Sequence, residues 1–184
     1  MKKVIVLCFL LLIPFSVSAK VKVEKRIKYY DIYPKSKKDI KTQLLSKSPI
    51  KKSGEKLYAD TVWEVNTSYE YKGKCRVTKV YVDLNIKTIL PRLTPKKSVK
   101  FSVKNPFSKF ERKLISYQKK HEKFAVQAAK EIEKKLLSYG SPRDCDKFRK
   151  QIRVDKKKII KKYRKKSKEY DKKTDYGRKK GVKI

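Results

Sequence analysis

The apolar and aromatic residues between positions 106 and 139 recur at steps of three or four, and this spacing constrains the fold more than any other feature of the chain. They are Phe110, Leu114, Tyr117, His121, Phe124, Ala128, Ile132, Leu136 and Tyr139. The spacing places them on one face of a helix, and that face must be buried against another element. We therefore predict a long amphipathic helix over residues 106–139, with Asn105 as N-cap, Pro106 in the first turn and Gly140 after the end.

A second long helix is predicted over residues 142–170. Ser141 and Pro142 form another pair of N-cap and first helical residue, and Asp144 suits the first turn because a carboxylate complements the helix dipole. The apolar face of this helix consists of Phe148, Ile152, Ile159 and Tyr163.

Two segments before the helices alternate with the period of a β-strand. In residues 61–71 the inward residues are at odd positions, namely Trp63, Val65, Thr67, Tyr69 and Tyr71. In residues 75–90 they are mainly at even positions, namely Val80, Val82, Leu84 and Ile86, whereas Cys75 and Val77 are odd. The change of phase predicts a β-bulge near Thr78, and the pair predicts a hairpin over about 61–90.

Residues 21–33 also alternate, with Val21, Val23, Ile27, Tyr29 and Tyr33 on one face. A short helix should follow, because Ser36 and Asp39 form a capping box ahead of Ile40, Leu44 and Leu45. The order of elements predicts an α+β fold, with a small antiparallel sheet packed on two long C-terminal helices (about 106–139 and 142–170).

The chain begins with the pattern of a secretory signal peptide. Lys2 and Lys3 precede an apolar stretch over residues 4–15, and small residues lead up to Ala19. The alternative is an uncleaved anchor helix, but the stretch is shorter than the ~20 apolar residues that span a bilayer. We expect cleavage of residues 1–19 and a periplasmic or secreted bacterial protein without a transmembrane segment after cleavage.

The mature chain, residues 20–184, is expected to form a single domain. Removal of the signal peptide takes Cys8 with it and leaves Cys75 and Cys145. An even pair in an oxidising compartment predicts one disulfide. A two-thiol metal site is the alternative, although the two cysteines lack the close spacing of zinc sites.

The formal net charge of +36 suggests an anionic partner. Only nine of the 54 basic residues are arginines, the side chain that binds phosphate in two places. The lysines are also spread over the whole length. We therefore interpret the charge as a compositional bias with weak adhesion to anions, and we expect no specific nucleic-acid partner.

The sequence HEKFA, residues 121–125, begins like the zinc-protease motif H-E-x-x-H. In that motif the two histidines share a helical face and hold the metal, and the glutamate acts on a metal-bound water. Here Ala125 replaces the second histidine, and His121 is the single histidine of the chain. A lone histidine on an apolar helix face is more often a buried residue with a structural hydrogen bond than a metal ligand.

Six short motifs in order resemble those of one bacterial family. They are YADTVW (58–63), KCRVTKVYVDL around Cys75, LPR (90–92), HE at His121 and Glu122, Cys145, and YDKKTDYG (170–177). Over nearly all of its mature length the chain thus resembles the family filed as domain of unknown function 922, whose members are described as predicted secreted zinc-dependent proteases.

The resemblance implies a zinc site built from H-E-x-x-H and completed by the histidine of a terminal T-x-H-G motif. In this chain Ala125 and Tyr176 stand at two of those positions. His121 is then the only remaining metal ligand and Glu122 the would-be general base. If the correspondence holds, Ala125→His combined with Tyr176→His should restore zinc binding.

Our leading hypothesis is a non-catalytic pseudo-enzyme that acts by binding an unknown protein or an anionic envelope component, without a cofactor. The alternative from the enzyme class is an active zinc-dependent peptidase with a substituted ligand set, in which case zinc is the cofactor. A second alternative is a basic protein that binds anionic envelope polymers or nucleic acid.

Overall fold

The computed structural model of the chain describes residues 18–52, 54–73, 75–94, 99–139 and 144–184. In chain order the elements are β1 (Ser18–Ile32), α1 (Asp39–Lys47), β2 (Lys51–Lys52), β3 (Glu55–Lys56), β4 (Asp60–Lys72), β5 (Arg76–Leu93), α2 (Phe101–Leu137), α3 (Cys145–Thr174) and a 3-10 turn (Arg178–Lys180). The predicted α+β class, with two long C-terminal helices packed on a small sheet, is confirmed. The predicted signal peptide lies, except for its last two residues, outside the described residues.

The main sheet has three strands in the order β1-β5-β4. β4 pairs with β5 antiparallel, as the hairpin pattern predicts, but β1 pairs with β5 parallel. The sheet is therefore mixed, which corrects the expectation of an antiparallel sheet. Alternation of side chains reports which face of a strand is buried, but it does not report the direction in which the strand runs. The segment with α1 and the β2–β3 hairpin connects β1 to β4, which runs in the opposite direction. The chain then returns from β4 as β5, which lies between the two and is therefore parallel to β1.

The bulge predicted near Thr78 is confirmed. Glu70 lies opposite Lys79, whereas Tyr71 lies opposite Val77, so Thr78 is the extra residue on β5. Along β5 and the turn before it, the buried residues are odd before this point (Cys75 and Val77) and even after it (Val80 to Ile86), which is the predicted change of phase.

Helix α2 begins at Phe101, five residues before the predicted start, and Pro106 lies inside it. The first turn forms because Val103 is 1% exposed and packs in the core, and the N–H of Lys104 bonds to the carbonyl of Lys100 at 3.0 Å. Burial of Val103 thus outweighs the hydrogen bond that a proline removes.

Helix α3 begins at Cys145, and Asp144 caps it by accepting hydrogen bonds from the N–H groups of Asp146 and Lys147. The predicted cap at Ser141 and Pro142, and the predicted helix end at Gly140, lie outside the described residues. The helix continues to Thr174, four residues beyond its predicted end.

The core forms two clusters along α2. The first half of α2, from Val103 to Tyr117, packs with α1, the C-terminal ends of β1 and β5, and Val182 of the tail. The second half, from Ala125 to Leu136, packs with β4, β5 and α3. Two buried polar residues, Gln118 and His121, lie on α2 between these clusters, with 4% and 7% exposure.

Strand β1 differs from its predicted burial. Its buried residues are Tyr30 and Ile32, which pack in the cluster that contains α1. Val23, Ile27 and Tyr29, which alternation places on the core face, are exposed. The odd face of β1 does point to the side of the core, but α2 covers it only in part, through the contact of Glu122 with Lys25.

A disulfide joins Cys75, at the turn between β4 and β5, to Cys145, the first residue of α3. The predicted pairing is confirmed, with the two Cα atoms 5.5 Å apart.

None of the helices in the described part of the chain is long and apolar enough to cross a membrane.

Candidate functional site

His121 lies on α2 and bonds through both ring nitrogens to residues of α3. Nδ1 is 2.6 Å from Oγ of Ser167, and Nε2 is 3.1 Å from Oδ1 of Asp171. The two partners are four residues apart, so they lie on one face of α3 a single turn from each other. The imidazole is therefore held between the two helices from both of its polar atoms.

Asp171 accepts a second hydrogen bond, from the hydroxyl of Tyr117. Burial by itself would raise the pKa of Asp171, but the hydrogen bonds from His121 and Tyr117 outweigh it and lower this pKa below its ordinary value. Burial, and then the bond to Asp171, raises the pKa of Tyr117. Asp171 is thus a carboxylate, and Tyr117 a neutral donor, near neutral pH.

Three rings surround the imidazole of His121. Tyr117 and Tyr170 contact it edge-on, with centroid distances of 5.0 and 5.5 Å, and Phe124 lies 6.4 Å away. Tyr117 and Tyr170 stack on each other at 5.2 Å. The rings help to bury the imidazole, which is 7% exposed. This burial strengthens its polar contacts, because a hydrogen bond is stronger in a medium of low dielectric constant.

Glu122 points away from this group, toward the sheet. Its carboxylate is 2.7 Å from Nζ of Lys25 on β1 and accepts a longer hydrogen bond, 3.4 Å, from the hydroxyl of Thr88 on β5. Thr88 also lies 3.2 Å from the hydroxyl of Thr61, which donates to Gln118 at 2.9 Å. The carboxylate of Glu122 therefore belongs to a polar network between α2 and the sheet.

The two positions where the family motifs place histidine lie in different environments. Ala125 has no exposed surface and packs in the core. Tyr176 is 54% exposed and follows the end of α3, where its N–H bonds to the carbonyl of Asp171 at 2.8 Å. The next residue, Gly177, lies against the ring of Tyr117. The tail motif thus reaches α2 one turn before His121.

The residues present do not fit a catalytic zinc ion. Such a site needs three protein ligands around an open position. The oxygen atoms beside His121 that could bind a metal belong to Asp171, Tyr117 and Ser167. The carboxylate of Glu122 is directed away from them, toward Lys25 on β1. Within the described ranges, no three His, Cys, Asp or Glu side chains converge in a way that could hold a metal.

The row of serine, imidazole and carboxylate also resembles the arrangement in which histidine takes a proton from a nucleophilic serine. That chemistry needs hydrogen-bond donors for an oxyanion next to the nucleophile. Ser167 lies in the interior of α3, where the backbone N–H groups are bonded within the helix. The arrangement is therefore suited to joining α2 to α3 rather than to acyl transfer.

Sequence reasoning named His121 and Glu122 but assigned no role to Ser167, Asp171 or Lys25. A signal for Asp171 was present, because it belongs to the quoted motif YDKKTDYG. Ser167 and Asp171 also have the spacing of one helical face, but the sequence prediction ended the helix at about 170. No local signal marks Lys25, whose partner is 97 residues away.

Comparison with known families gives one match. The model of the family described as "Bacterial protein of unknown function (DUF922)" matches residues 27–177, which is most of the chain. This confirms the resemblance that the sequence motifs indicated. No curated protein and no solved structure matches the chain.

Proposed function

The chain belongs to the bacterial DUF922 family, and from that premise we propose that it is an exported, non-catalytic protein that acts by binding. Export is supported by the signal-peptide pattern of residues 1–19 and by the disulfide, a bond typical of oxidising compartments. The absence of catalysis is supported by the geometry around His121.

One observation carries the proposal: the side chains of His121 and Glu122 engage different elements. In a zinc peptidase the histidine holds the metal and the adjacent glutamate acts on the water bound to that metal. Here both nitrogens of His121 are bonded to α3, and the carboxylate of Glu122 is paired with Lys25 on β1. A metal would have to displace Asp171 from the imidazole and would still lack the ligand that Ala125 replaces.

An anionic envelope component is the binding partner that the charge distribution favours. Helix α3 carries a row of exposed basic residues at steps of three, four or seven along its outer face, namely Lys150, Arg153, Lys157, Lys161, Lys168 and Lys172. The row is about 30 Å long, at 1.5 Å per residue. A linear polymer with repeated negative charges could follow it.

Ion pairs support this choice of surface. Several acidic residues of α3 and α2 form ion pairs at other positions, for example Asp171 with His121 and Glu131 with Lys162. Asp155 bonds to Tyr139 on the inner side of α3. Among the residues that the structure describes, none of the six basic side chains of the outer row forms an ion pair, so the row can interact with solvent or with an anionic ligand.

Titration calorimetry with zinc tests the proposal that the protein is not a zinc enzyme. We expect no stoichiometric heat from the wild-type protein, and the same trace from His121→Ala as a matched control. One equivalent of tightly bound zinc that is lost in His121→Ala, together with a peptidase activity that a chelator removes, would establish the enzyme alternative instead.

Binding of inorganic polyphosphate tests the anionic partner. We expect affinity to fall steeply with salt concentration, since each neutralised charge releases a counterion. Changing Lys157, Lys161 and Lys168 to glutamine should lower both the affinity and the salt slope. A control that changes Lys35, Lys41 and Lys47 near and in α1 should have a clearly smaller effect. Equal losses in both variants would argue for diffuse charge without a binding face.

A further inference from the structure

Strand β1 leaves an apolar face uncovered. Helix α2 packs mainly on β5, and α3 reaches β4, where Phe148 contacts Tyr69 with ring centroids 5.6 Å apart. Helix α2 also contacts β1, where Glu122 pairs with Lys25, but it does not bury most of the apolar side chains on this face of the strand. As a result Val23, Ile27 and Tyr29 are 39%, 56% and 44% exposed.

The register shows that these residues are on the core side of the sheet. Val23 lies opposite Leu84, and Tyr29 lies opposite Leu90, both of which are buried. Paired residues of neighbouring strands point to the same face. The exposed side chains of β1 therefore continue the inner apolar surface of the sheet past the point where α2 covers it.

The backbone of β1 is also open on one side. β1 is an edge strand of 15 residues, paired with β5 alone among the described strands. A long edge presents a row of unpaired N–H and C=O groups that can template another strand. An apolar face and an open edge on the same strand together define a surface for strand addition.

We propose that this surface pairs with itself, so that two copies of the chain form a symmetric dimer through antiparallel β1 strands centred on Lys25. The sequence around Lys25 is self-complementary in that register. Val23 meets Ile27 of the second copy, and the half-buried Val21 meets Tyr29, so the exposed side chains of Val23, Ile27 and Tyr29 are all covered. A two-fold interface requires such reciprocity, because each contact occurs twice.

The charges on β1 fit the same register. On the outer face Glu24 meets Arg26 of the second copy, and within one chain these residues already form an ion pair at 2.6 Å. Lys25 meets its own copy on the inner face, but each Lys25 is compensated by Glu122 at 2.7 Å. Lys22 opposite Lys28 is a further like-charged contact, which occurs twice in the dimer and lies on the solvent side of the sheet.

A cysteine at the symmetry axis tests this register directly. The Cα atoms of directly opposite residues in an antiparallel pair are ~4.5–5.5 Å apart, within the range of a disulfide. Lys25→Cys should therefore give a disulfide-linked dimer under mild oxidation. Ile27→Cys is the matched control, because residue 27 and its copy would be about 14 Å apart along the strands. Linkage through residue 27 rather than residue 25 would overturn the register.

Sedimentation of the purified protein, at a salt concentration near 0.15 M to screen its net charge, tests the dimer without cysteines. We expect twice the monomer mass for the wild type, and monomers for Ile27→Lys. Val62→Lys should stay dimeric, since Val62 is 45% exposed on β4, the other edge strand. A wild-type monomer up to about 100 µM, or an Ile27→Lys dimer of unchanged affinity, would overturn the proposal.

Exchanging the charges of residues 24 and 26 distinguishes specific pairing of β1 strands from nonspecific association. Glu24→Arg places two arginines opposite each other in the dimer, so we expect its dissociation constant to rise at least about tenfold. Glu24→Arg combined with Arg26→Glu restores opposite charges and should restore most of the affinity. Failure of the double variant to recover, while its fold is intact by circular dichroism, would contradict the pairing of residue 24 with residue 26.

Discussion

Asp171 on α3 and His121 on α2 face each other across the helix pair, with 3.1 Å between Oδ1 and Nε2. Tyr117 donates to the same carboxylate from one turn earlier on α2. Further along the same helix pair, Glu131 of α2 bonds to Lys162 and Tyr163 of α3. The contacts of Asp171 and of Glu131 therefore both fix α3 against α2. The side chains around Asp171 are more buried than those around Glu131.

Asp171→Asn should destabilise the fold by roughly 2 kcal/mol, since it removes the charge that two buried donors share. Thermal or urea unfolding at neutral pH measures the change. Asp146→Asn on the same helix is the control, because Asp146 is 84% exposed and its ion pair with Arg149 is long, at 3.9 Å. We expect the control to stay close to the wild type.

The destabilisation by Asp171→Asn should depend on pH. The pKa of Asp171 is lowered in the folded state, so its charge contributes stability that is present above the unfolded pKa of about 4 and is lost as the pH falls through the folded value. The difference between wild type and Asp171→Asn should be largest near neutral pH and shrink below about pH 4. A constant difference down to pH 2–3 would show that the charge of Asp171 is not responsible.

Gly177→Ala should be more destabilising than Gly54→Ala. Both glycines have φ near +87°, so both substitutions incur the same backbone strain. A Cβ at Gly177 would lie 2.9 Å from Val182 and 3.2 Å from Tyr117, whereas a Cβ at Gly54 meets nothing within 4 Å. We expect a difference of about 1–3 kcal/mol from this overpacking. Equal losses in unfolding free energy would mean that the tail does not pack on Tyr117.

Ala125→His should destabilise the protein by about 1–3 kcal/mol, because it inserts an imidazole where the side chain has no exposed surface. This burial changes the outcome expected from sequence for the pair Ala125→His and Tyr176→His: the pair should lose stability and should not gain zinc binding. Lys123→His, on the exposed face of the same turn, is the control and should be nearly neutral. Tight zinc binding by the pair, in a protein as stable as the wild type, would contradict this expectation.

The disulfide should contribute roughly 4 kcal/mol in the chain-entropy model, since it joins residues 70 apart in sequence. Cys75→Ser with Cys145→Ser, or reduction of the wild type, should lower the free energy of unfolding by a similar amount. Mass spectrometry without reduction should show the bond in protein purified from the envelope. Two free thiols in that material would contradict it.

The mature protein should begin at Lys20. The pattern before it predicts cleavage after Ala19. N-terminal sequencing of exported protein measures the start, with an Ala19→Arg variant as a control that should block processing. Recovery of Met1 in the membrane fraction of wild-type cells would indicate an anchored protein instead.

Periodicity alone determined the local features of this fold. Three features follow from the sequence because each depends on which side of a single element is buried. They are the apolar faces of α2 and α3, the alternation of β4 and β5, and the bulge at Thr78. The disulfide followed for a different reason, since removal of the predicted signal peptide would leave one pair of cysteines. The short motifs identified the family, but they did not show which contacts the residues at its zinc-motif positions make in this chain.

The tertiary structure decided what depends on distant contacts. Side-chain alternation is the same for a parallel and an antiparallel strand, so the direction of β1 became known only from its pairing with β5. The exposure of Ile27 depends on where α2 and α3 end across the sheet, which no pattern within β1 records. His121 acquires its role from Ser167, 46 residues away, and Glu122 from Lys25, 97 residues away. Adjacent residues of one helix were thereby assigned to different neighbours, because successive side chains point about 100° apart around the helix axis.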